Sequence, residues 1–579
     1  MKYIKTPEFV TAICFFVFLT LGLLSRVSIE NVEFVYKGQT ERVSLPFNRD
    51  IRVNVPFKME FDVSSPLDLS YDIYVIPDDC AESISVEGFF VDLSDNRNHC
   101  NFSRGFNIPD SLLNPHRLKG KTHYSMTLKN KGGPGGAMFF VKMTSAIGHI
   151  INFLTIASLA LFFAFVARRL RFGKTLIVLL FLGMIFRSLF FVAVPYKKFS
   201  MDVEGHIQYV QYIIENHAIP GERDCWSCYH PSVYYIAATP SYLLGEFLGT
   251  SGTVGLQGFS LLLSLLTTFV GLLFLRKILE GKALILSSIL WIFWPLMIMV
   301  APRIGNDQLF YLLHVVCMWC GINYFKEGRG RYLIVAVVTT ALALWTKTTA
   351  VVTLGMLLVF LVAGYFANSR LLRPSKSEWI SWAMTVVLLV VFLIKKVLGP
   401  DLVGNIGSLN SGMKVPNEVF NYLYFDLQNF LQYPFTSCWN SSMGRDYFWN
   451  FALKTSMFGE WDMLPNANGH FWATIMSALL LGLVVYAVRG FWKHRLSLVH
   501  WILMLHGVAF VAALMALRIK YPYACSNDFR YILPVLLSFC PFVAWGIQVE
   551  GGSLKWKVLG YALVAGFALS TTILYILAM

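Results

Sequence analysis

Acidic residues are sparse in this chain, 34 Asp and Glu among 579 residues against 48 Lys and Arg, so the segment Met201-Asp-Val-Glu-Gly-His-Ile-Gln-Tyr-Val-Gln-Tyr212 stands out. In a helix, Asp202 and His206 are four residues apart and share a face with Tyr209, while Glu204 points elsewhere. A carboxylate beside a histidine can serve as a general base that takes a proton from a hydroxyl group. A bland reading fits the same residues: Asp202 capping a helix, with Glu204 against the helix dipole.

Three more stretches set a cation beside a carboxylate or an amide: Pro302-Arg-Ile-Gly-Asn-Asp307, Trp345-Thr-Lys347 and Asn527-Asp-Phe-Arg-Tyr531. Together Arg303, Lys347 and Arg530 suit a phosphate or diphosphate clamp, since guanidinium and ammonium groups bind such oxygens by charge-assisted hydrogen bonds. Singly, each also fits a basic side chain reaching for a membrane interface. Asn306, Asp307, Asn527 and Asp528 equally suit helix caps.

The ten cysteines divide by surroundings. Cys14, Cys317, Cys320 and Cys540 lie in apolar runs, where a thiol is a small hydrophobe. Cys80, Cys100, Cys225, Cys228, Cys438 and Cys525 lie in polar segments, an even number that suits an oxidising compartment. Cys80 is expected to pair with Cys100 and Cys438 with Cys525. For Cys225-Trp-Ser-Cys228 a structural disulfide is preferred over a redox pair or half of a metal site, because no second such pair supplies four zinc ligands.

The elements that must position these residues are dictated by an apolar composition: 56% hydrophobic, 14% charged, 48 Phe and mean hydropathy +0.56. That is too apolar for a soluble globular protein, and lipid must be the main solvent. The formal charge of +14 does not indicate a nucleic-acid partner, because the Lys and Arg sit in short connections between apolar runs.

Residues 1–26 read as a retained signal anchor. Residues 27–145 change to period-two alternation, as in Leu69-Ser-Tyr-Asp-Ile-Tyr-Val75, which predicts a small all-β, sandwich-like domain ending in a last strand at about 137–143. Residues 146–579 hold runs long enough to span a bilayer, about thirteen in all with the anchor. Basic clusters at 168–174, 276–282, 326–331, 370–376, 489–495 and 555–557 fall on alternate connections, which predicts a cytoplasmic N-terminus and an external C-terminus. Keeping that register requires 231–249 to lie in the outer interface rather than cross. The large loops 195–253 and 399–469 then share the outer side with 301–307, the turn near Lys347, and 518–530, so the polar constellations can meet there.

With the motifs placed, the chain resembles the GT-C superfamily of membrane glycosyltransferases, the group that includes protein O-mannosyltransferases and aminoarabinose transferases. Asp202, His206 and Tyr209 are similar to an Asp-x-x-x-His-x-x-Tyr stretch in the first large outer loop of bacterial members. Tyr229-His-Pro-Ser-Val-Tyr-Tyr235 is similar to a Gln/His-Pro-Pro-Leu-Tyr-Tyr segment, with Ser232 in place of the second Pro. Arg303-Ile-Gly-Asn-Asp-Gln-Leu309 and Leu344-Trp-Thr-Lys-Thr-Thr349 resemble Arg-x-x-Asn-Asp-x-Leu and Leu-Thr-Lys stretches. Lys454-Thr-Ser-Met-Phe-Gly-Glu460 and Asp528-Phe-Arg-Tyr-Ile-Leu-Pro534 look like late-loop motifs. The likeness spans roughly 147–579 in family order, and the β domain lies outside it.

The resemblance implies a GT-C-like helical membrane fold. The enzyme would move a sugar from a polyprenyl-phosphate carrier to a hydroxyl acceptor at the extracytoplasmic face of a bacterial inner membrane, with inversion. It implies Asp202 as base, supported by Glu204, His206 and Asp307, and a lipid phosphate held by Arg303, Lys347 and Arg530. Tyr209, Tyr229, His230, Glu460 and Tyr531 become candidate sugar or acceptor contacts, with Trp226 and Trp461 as stacking faces. Relatives carry Asp-Glu at successive positions, whereas here Val203 intervenes before Glu204, which leaves a divalent metal open. Two other readings share the topology: a flippase of a lipid-linked sugar, for which Arg187 and His506 are the intramembrane ionisable candidates, and an oligosaccharide polymerase or ligase. A scaffold presenting the β domain is a third.

Overall fold

In a computed structural model of the chain, residues 6–579 are described apart from 44, 46, 50, 66, 95–98, 101–104, 132–134, 200–201, 249, 368–374, 399–410, 465, 494–496 and 550. Two compact units are present: Met1–Phe165 with Phe247–Thr250, and Val166–Glu246 with Ser251–Met579.

The first unit opens on the apolar helix Pro7–Leu24 and continues into two antiparallel sheets. Their strands are β1 (Ser28–Tyr36), β2 (Gln39–Arg42), β3 (Phe47–Arg49), β4 (Pro56–Ser64), β5 (Tyr71–Pro77), β6 (Cys80–Val86), β7 (Phe89–Asp92), β8 (Phe106–Ile108), β9 (Lys121–Lys129) and β10 (Gly135–Met143). The six-stranded sheet runs β2-β1-β4-β9-β6-β7 and the four-stranded sheet β3-β10-β5-β8. Period-two alternation is what builds the core: Phe57, Met59, Phe61 and Val63 of β4 and Tyr124, Met126 and Leu128 of β9 face inward, against Ile73, Val75 and Phe139 of the other sheet. Phe61 stacks on Tyr124 and Phe139 at 5.5 and 4.9 Å, and the Tyr71 and Tyr124 hydroxyls share a hydrogen bond of 2.8 Å. Cys80 and Cys100 are joined by a disulfide, S–S 2.05 Å.

Among the described residues, nine helices are long and apolar enough to cross a membrane. Four shorter apolar helices, Pro7–Gly22, Gly281–Phe293, Gly330–Leu344 and Thr348–Gly364, account for the other expected runs. Two of the interior runs break at identifiable turns. The run expected at 283–300 breaks where Pro295, which cannot donate to a helical turn, starts a separate helix, Pro295–Met299, and the Trp294 indole donates to the Ser456 carbonyl at 2.7 Å. The run expected at 332–349 stops at Leu344, ahead of the turn that carries Lys347. Basic pairs end or begin several of the helices: Arg168 and Arg169, Arg276 and Lys277, and Lys555 and Lys557.

Within 231–248 lies Val233–Phe247, a 15-residue helix with Pro240 inside it, the same length as Gly330–Leu344. It lies against Gly252–Ile278 backbone to backbone: a Cβ on Gly255 would strike the Ser241 carbonyl, and one on Gly245 would come within 2.7 Å of the Ser251 carbonyl. Beyond residue 410, the loop before Ala467–Lys493 is knit by buried polar groups. Lys454 donates to Asn429 Oδ1 and the Met443 carbonyl, both at 2.8 Å, while Asn450 Nδ2 donates to the Asp426 carbonyl at 2.7 Å. Burial draws the Lys454 ammonium down to about 7, against the opposing pull of Asp426.

Candidate active site

Asp202 occupies the N-cap position of Val203–Asn216 in left-handed backbone, φ 58°, and its side chain makes no capping hydrogen bond. The bland reading of Asp202 as a cap therefore fails: its Oδ2 instead lies 3.8 Å from Arg530 Nη2, with the carboxylate side chain 38% exposed. A left-handed aspartate is tolerable but not free, and such positions cluster where geometry is held for a purpose.

The helix behind Asp202 is fixed by a small residue. Gly205 packs against the loop closed by the Cys225–Cys228 disulfide, and a Cβ there would meet Ser227 Oγ and come within 2.8 Å of Trp226 Cε3. One residue on, buried His206 brings Nδ1 to 2.7 Å from the Tyr235 hydroxyl and stacks at 5.6 Å on His230. Tyr209 is buried too, lying flat on Tyr235 at 3.7 Å, and Tyr229 tilts on His230 at 4.2 Å. Burial pulls His206 down to about 3, opposed by Asp307 and reinforced by Arg303, Arg530 and Lys347; burial and the His206 charge hold His230 well below its usual value. Both rings are therefore neutral at physiological pH. Burial, reinforced by Asp202, pushes the Tyr229 phenol up to about 12.

The three expected cations converge beside this layer. Lys347 Nζ contacts Asp307 Oδ1 directly and stands 4.7 Å above the Tyr531 ring. Arg530 Nε lies 3.1 Å from Asp528 Oδ2, its Nη2 donates to the Tyr531 hydroxyl at 3.1 Å, and Tyr311 donates to its carbonyl at 2.6 Å. The capping reading holds for Asp528, whose Oδ1 accepts from the Arg530 backbone N–H at 2.9 Å. Arg303 is buried, and among the described residues its Nη2 has no hydrogen-bond partner and no carboxylate lies within 4.0 Å of it. Burial lowers the pKa of its guanidinium, and the Arg530 charge adds to that effect. Asn306 Nδ2 donates to the Thr346 carbonyl at 3.2 Å, which ties the Arg303–Asp307 turn to the Lys347 turn.

Other expected contributors stand elsewhere or are partnered otherwise. Glu204 is exposed and pairs with Lys197 at 3.1 Å, outside the cation group. Cys438 and Cys525 are both free, a correction to the expected disulfide. The two thiols are hydrogen-bond neighbours rather than bonded, and Cys438 Sγ donates to Glu460 Oε2 at 2.8 Å within the small apolar cluster of Val415, Cys438, Phe451, Ala524 and Cys525. Glu460 is buried with Oε1 unpartnered among the described residues; burial and nearby Asp528 push its carboxyl well above the usual range, opposed by Arg530. Among the described residues, no three His, Cys, Asp or Glu side chains are gathered to hold a metal ion. Sequence reasoning missed Tyr234 and Tyr235 as part of the layer; Tyr234 accepts from the Gly305 N–H at 3.1 Å. Their place in a Pro-Ser-Val-Tyr-Tyr run was visible, but their targets were not.

Residues 231–394 match the family described as dolichyl-phosphate-mannose-protein mannosyltransferase, a span that includes Arg303, Asp307 and Lys347 but not Asp202, Glu460 or Arg530. Among solved structures, the Archaeoglobus fulgidus oligosaccharyltransferase in its apo form aligns at TM-score 0.41 and 11% identity, over 70% of this chain and 55% of that one. The arabinosyltransferase EmbB of Mycobacterium smegmatis aligns at TM-score 0.30 and 12% identity, over 97% of this chain and 66% of that one. The chain thus spans about half to two-thirds of the length of these two proteins. No curated protein matches. The family match, on a many-helix membrane architecture with an N-terminal β domain, points to the GT-C superfamily of membrane glycosyltransferases, the group its sequence motifs resemble.

Proposed function

We propose that the protein transfers a sugar from a polyprenyl-phosphate carrier to a hydroxyl acceptor at the extracytoplasmic face of the membrane, with Asp202 as the base. The observation that carries this reading is a partly exposed carboxylate 3.8 Å from a guanidinium that is itself grouped with two further buried cations. Asp307 is committed to Lys347 and Asp528 to Arg530, which leaves Asp202 as the carboxylate open to an incoming molecule. Arg303 retains an unpartnered arm for an anion.

The chemistry balances without a further reagent. Asp202 takes the hydroxyl proton, the acceptor oxygen bonds to the anomeric carbon from the face opposite the leaving group, and the carbon–oxygen bond to phosphate breaks. Polyprenyl phosphate leaves with the electron pair, and Arg303, Lys347 and Arg530 stabilise its charge. Attack from the opposite face inverts the anomeric centre. Neutral His206 and His230, with Tyr229 and Tyr531, offer flat faces and hydrogen bonds for the sugar. The family description names a dolichyl-phosphate-mannose donor and a protein acceptor, a donor chemistry this site would accept.

The test is Asp202→Asn in the full chain, reconstituted in nanodiscs with a panel of polyprenyl-phosphate monosaccharides. Loss of a positioned base lowers turnover by about 10²–10⁴. Stability should change by about 1 kcal/mol or less, because the contact to Arg530 is long and its carboxylate is solvent-screened. Full transfer by the variant would remove Asp202 as the base.

A further inference from the structure

Away from the site, two histidines lie buried in the helical bundle and face each other. His314 Nε2 is 2.9 Å from His506 Nε2, His314 Nδ1 is 2.8 Å from Thr353 Oγ1, and His506 Nδ1 is 2.6 Å from Ser538 Oγ. Both rings are fully buried, and Phe510 packs edge-on against each at 5.0 Å. With both imidazoles neutral, the chain closes in either direction. If His314 donates from Nε2, Thr353 donates to its Nδ1 and His506 donates from Nδ1 to Ser538; if His506 donates, every bond reverses. All four ring nitrogens are satisfied by protein, as a polar group facing no water requires.

The placement of the chain is informative. His314 lies seven residues after Asp307 on the helix Asp307–Glu327. Thr353 lies six residues after Lys347, in the helix Val351–Ala367 that follows its turn, and Ser538 lies eight residues after Arg530, in Leu536–Ile547, which continues directly from Phe529–Val535. The three segments that carry Asp307, Lys347 and Arg530 are thus gripped about two turns below those charges. His506, on Leu498–Lys520, completes the chain from a fourth helix. Between the two levels, Tyr311 spans from the first helix to the Arg530 carbonyl at 2.6 Å.

We propose that the Thr353–His314–His506–Ser538 chain is a positioning strap that holds Asp307, Lys347 and Arg530 in register across their three helices. Packing alone would not do this as well: apolar contacts between helices in lipid are non-directional, and a slide of one helix by part of a turn costs them little, whereas four side chains joined in line by three hydrogen bonds fix azimuth and height together. The strap touches no substrate and acts through the charges it aligns. Its value to catalysis rests on the assignment of those charges to a phosphate, and the test reads the two separately.

The full chain in nanodiscs is reductively methylated and Lys347 labelling is read by peptide mass spectrometry, with Lys454, buried elsewhere in the same unit, as the internal control. Wild-type Lys347 should be protected by burial and Asp307. His314→Phe and His506→Phe should each raise its labelling several-fold and leave Lys454 unchanged; His506→Gln, which keeps a donor and an acceptor near the Nε2 position, should restore protection. Should either Phe variant fail to assemble, Thr353→Val and Ser538→Ala cut the chain at its ends, with the same direction expected. Unchanged labelling of Lys347, or an equal rise at Lys454, would overturn the strap. Binding of undecaprenyl phosphate, measured in the same samples, should weaken about tenfold, as when the support of a binding group is lost. Labelling that rises without that weakening upholds the strap and sinks the phosphate assignment.

Discussion

Asp307→Asn tests the electrostatics of the site most directly. Lys347 and Asp307 are in direct contact, with their side chains only 8% and 13% exposed, and Arg303 and Arg530 both act electrostatically on the pair. Replacing the carboxylate with an amide leaves an ammonium in poorly solvated surroundings among two guanidinium groups, with the Tyr531 ring at 4.7 Å as its remaining electrostatic support. Breaking one side of a buried pair costs about 3–5 kcal/mol, because the surviving charge stays desolvated. Removing both charges in Asp307→Asn/Lys347→Met should recover most of that loss, since a buried pair and an uncharged replacement differ little. Unfolding in mixed micelles measures the three proteins on one scale. Undecaprenyl phosphate added to the single variant should stabilise it more than wild type, because the phosphate supplies the missing negative charge. If Asp307→Asn lies within about 1 kcal/mol of wild type, or the double variant is no better than the single, the pair is not desolvated as argued.

Two further outcomes follow from the layer behind Asp202. His206 titrates at about 3 in the fold against about 6.5 unfolded. Its stabilising contribution is therefore complete above pH 6.5 and lost as pH falls towards 3, because the unfolded chain takes the proton first; the loss is about 2 kcal/mol at pH 5. His206→Gln should reduce the difference in stability between pH 8 and pH 5 by that amount, and an unchanged difference would show the ring is solvated. Gly205→Ala pushes the Val203–Asn216 helix off the Cys225–Cys228 loop, at about 1–3 kcal/mol for overpacking, and should depress transfer; a variant with wild-type stability and turnover would mean the loop yields without cost.

Local signals were readable wherever physics is local. Hydropathy located every long helix because a span is a matter of length and composition, and alternation located the sandwich because a strand with one buried face must alternate. The convergence of Arg303, Lys347 and Arg530 was legible only through topology, which put them at the same ends of their helices. Partner choice was not legible. His506 was visible as an intramembrane polar residue, but nothing local distinguishes His314 as its partner, 192 positions away in sequence. Even parity named Cys438 and Cys525, and these two thiols do meet though they are not bonded; parity is blind to Glu460, whose buried carboxyl accepts a hydrogen bond from Cys438 at 2.8 Å. Asp202 and Asp528 were both candidate helix caps by sequence; the backbone decided between them, since only Asp528 turns its carboxylate back onto its own helix start.

That division among the carboxylates gives the proposed reaction an order. Arg530 holds Asp528 at 3.1 Å and Asp202 at 3.8 Å, so Asp202 is the looser of its two anions and the more exposed. A phosphate entering beside Arg530 competes with Asp202 for the guanidinium and displaces the weaker partner first. Donor binding would therefore release the Asp202 carboxylate from Arg530 at the moment an acceptor hydroxyl needs it, while in the absence of donor the two stay side by side. A donor-first kinetic order is the consequence, and acceptor binding that proceeds equally well without donor would contradict it.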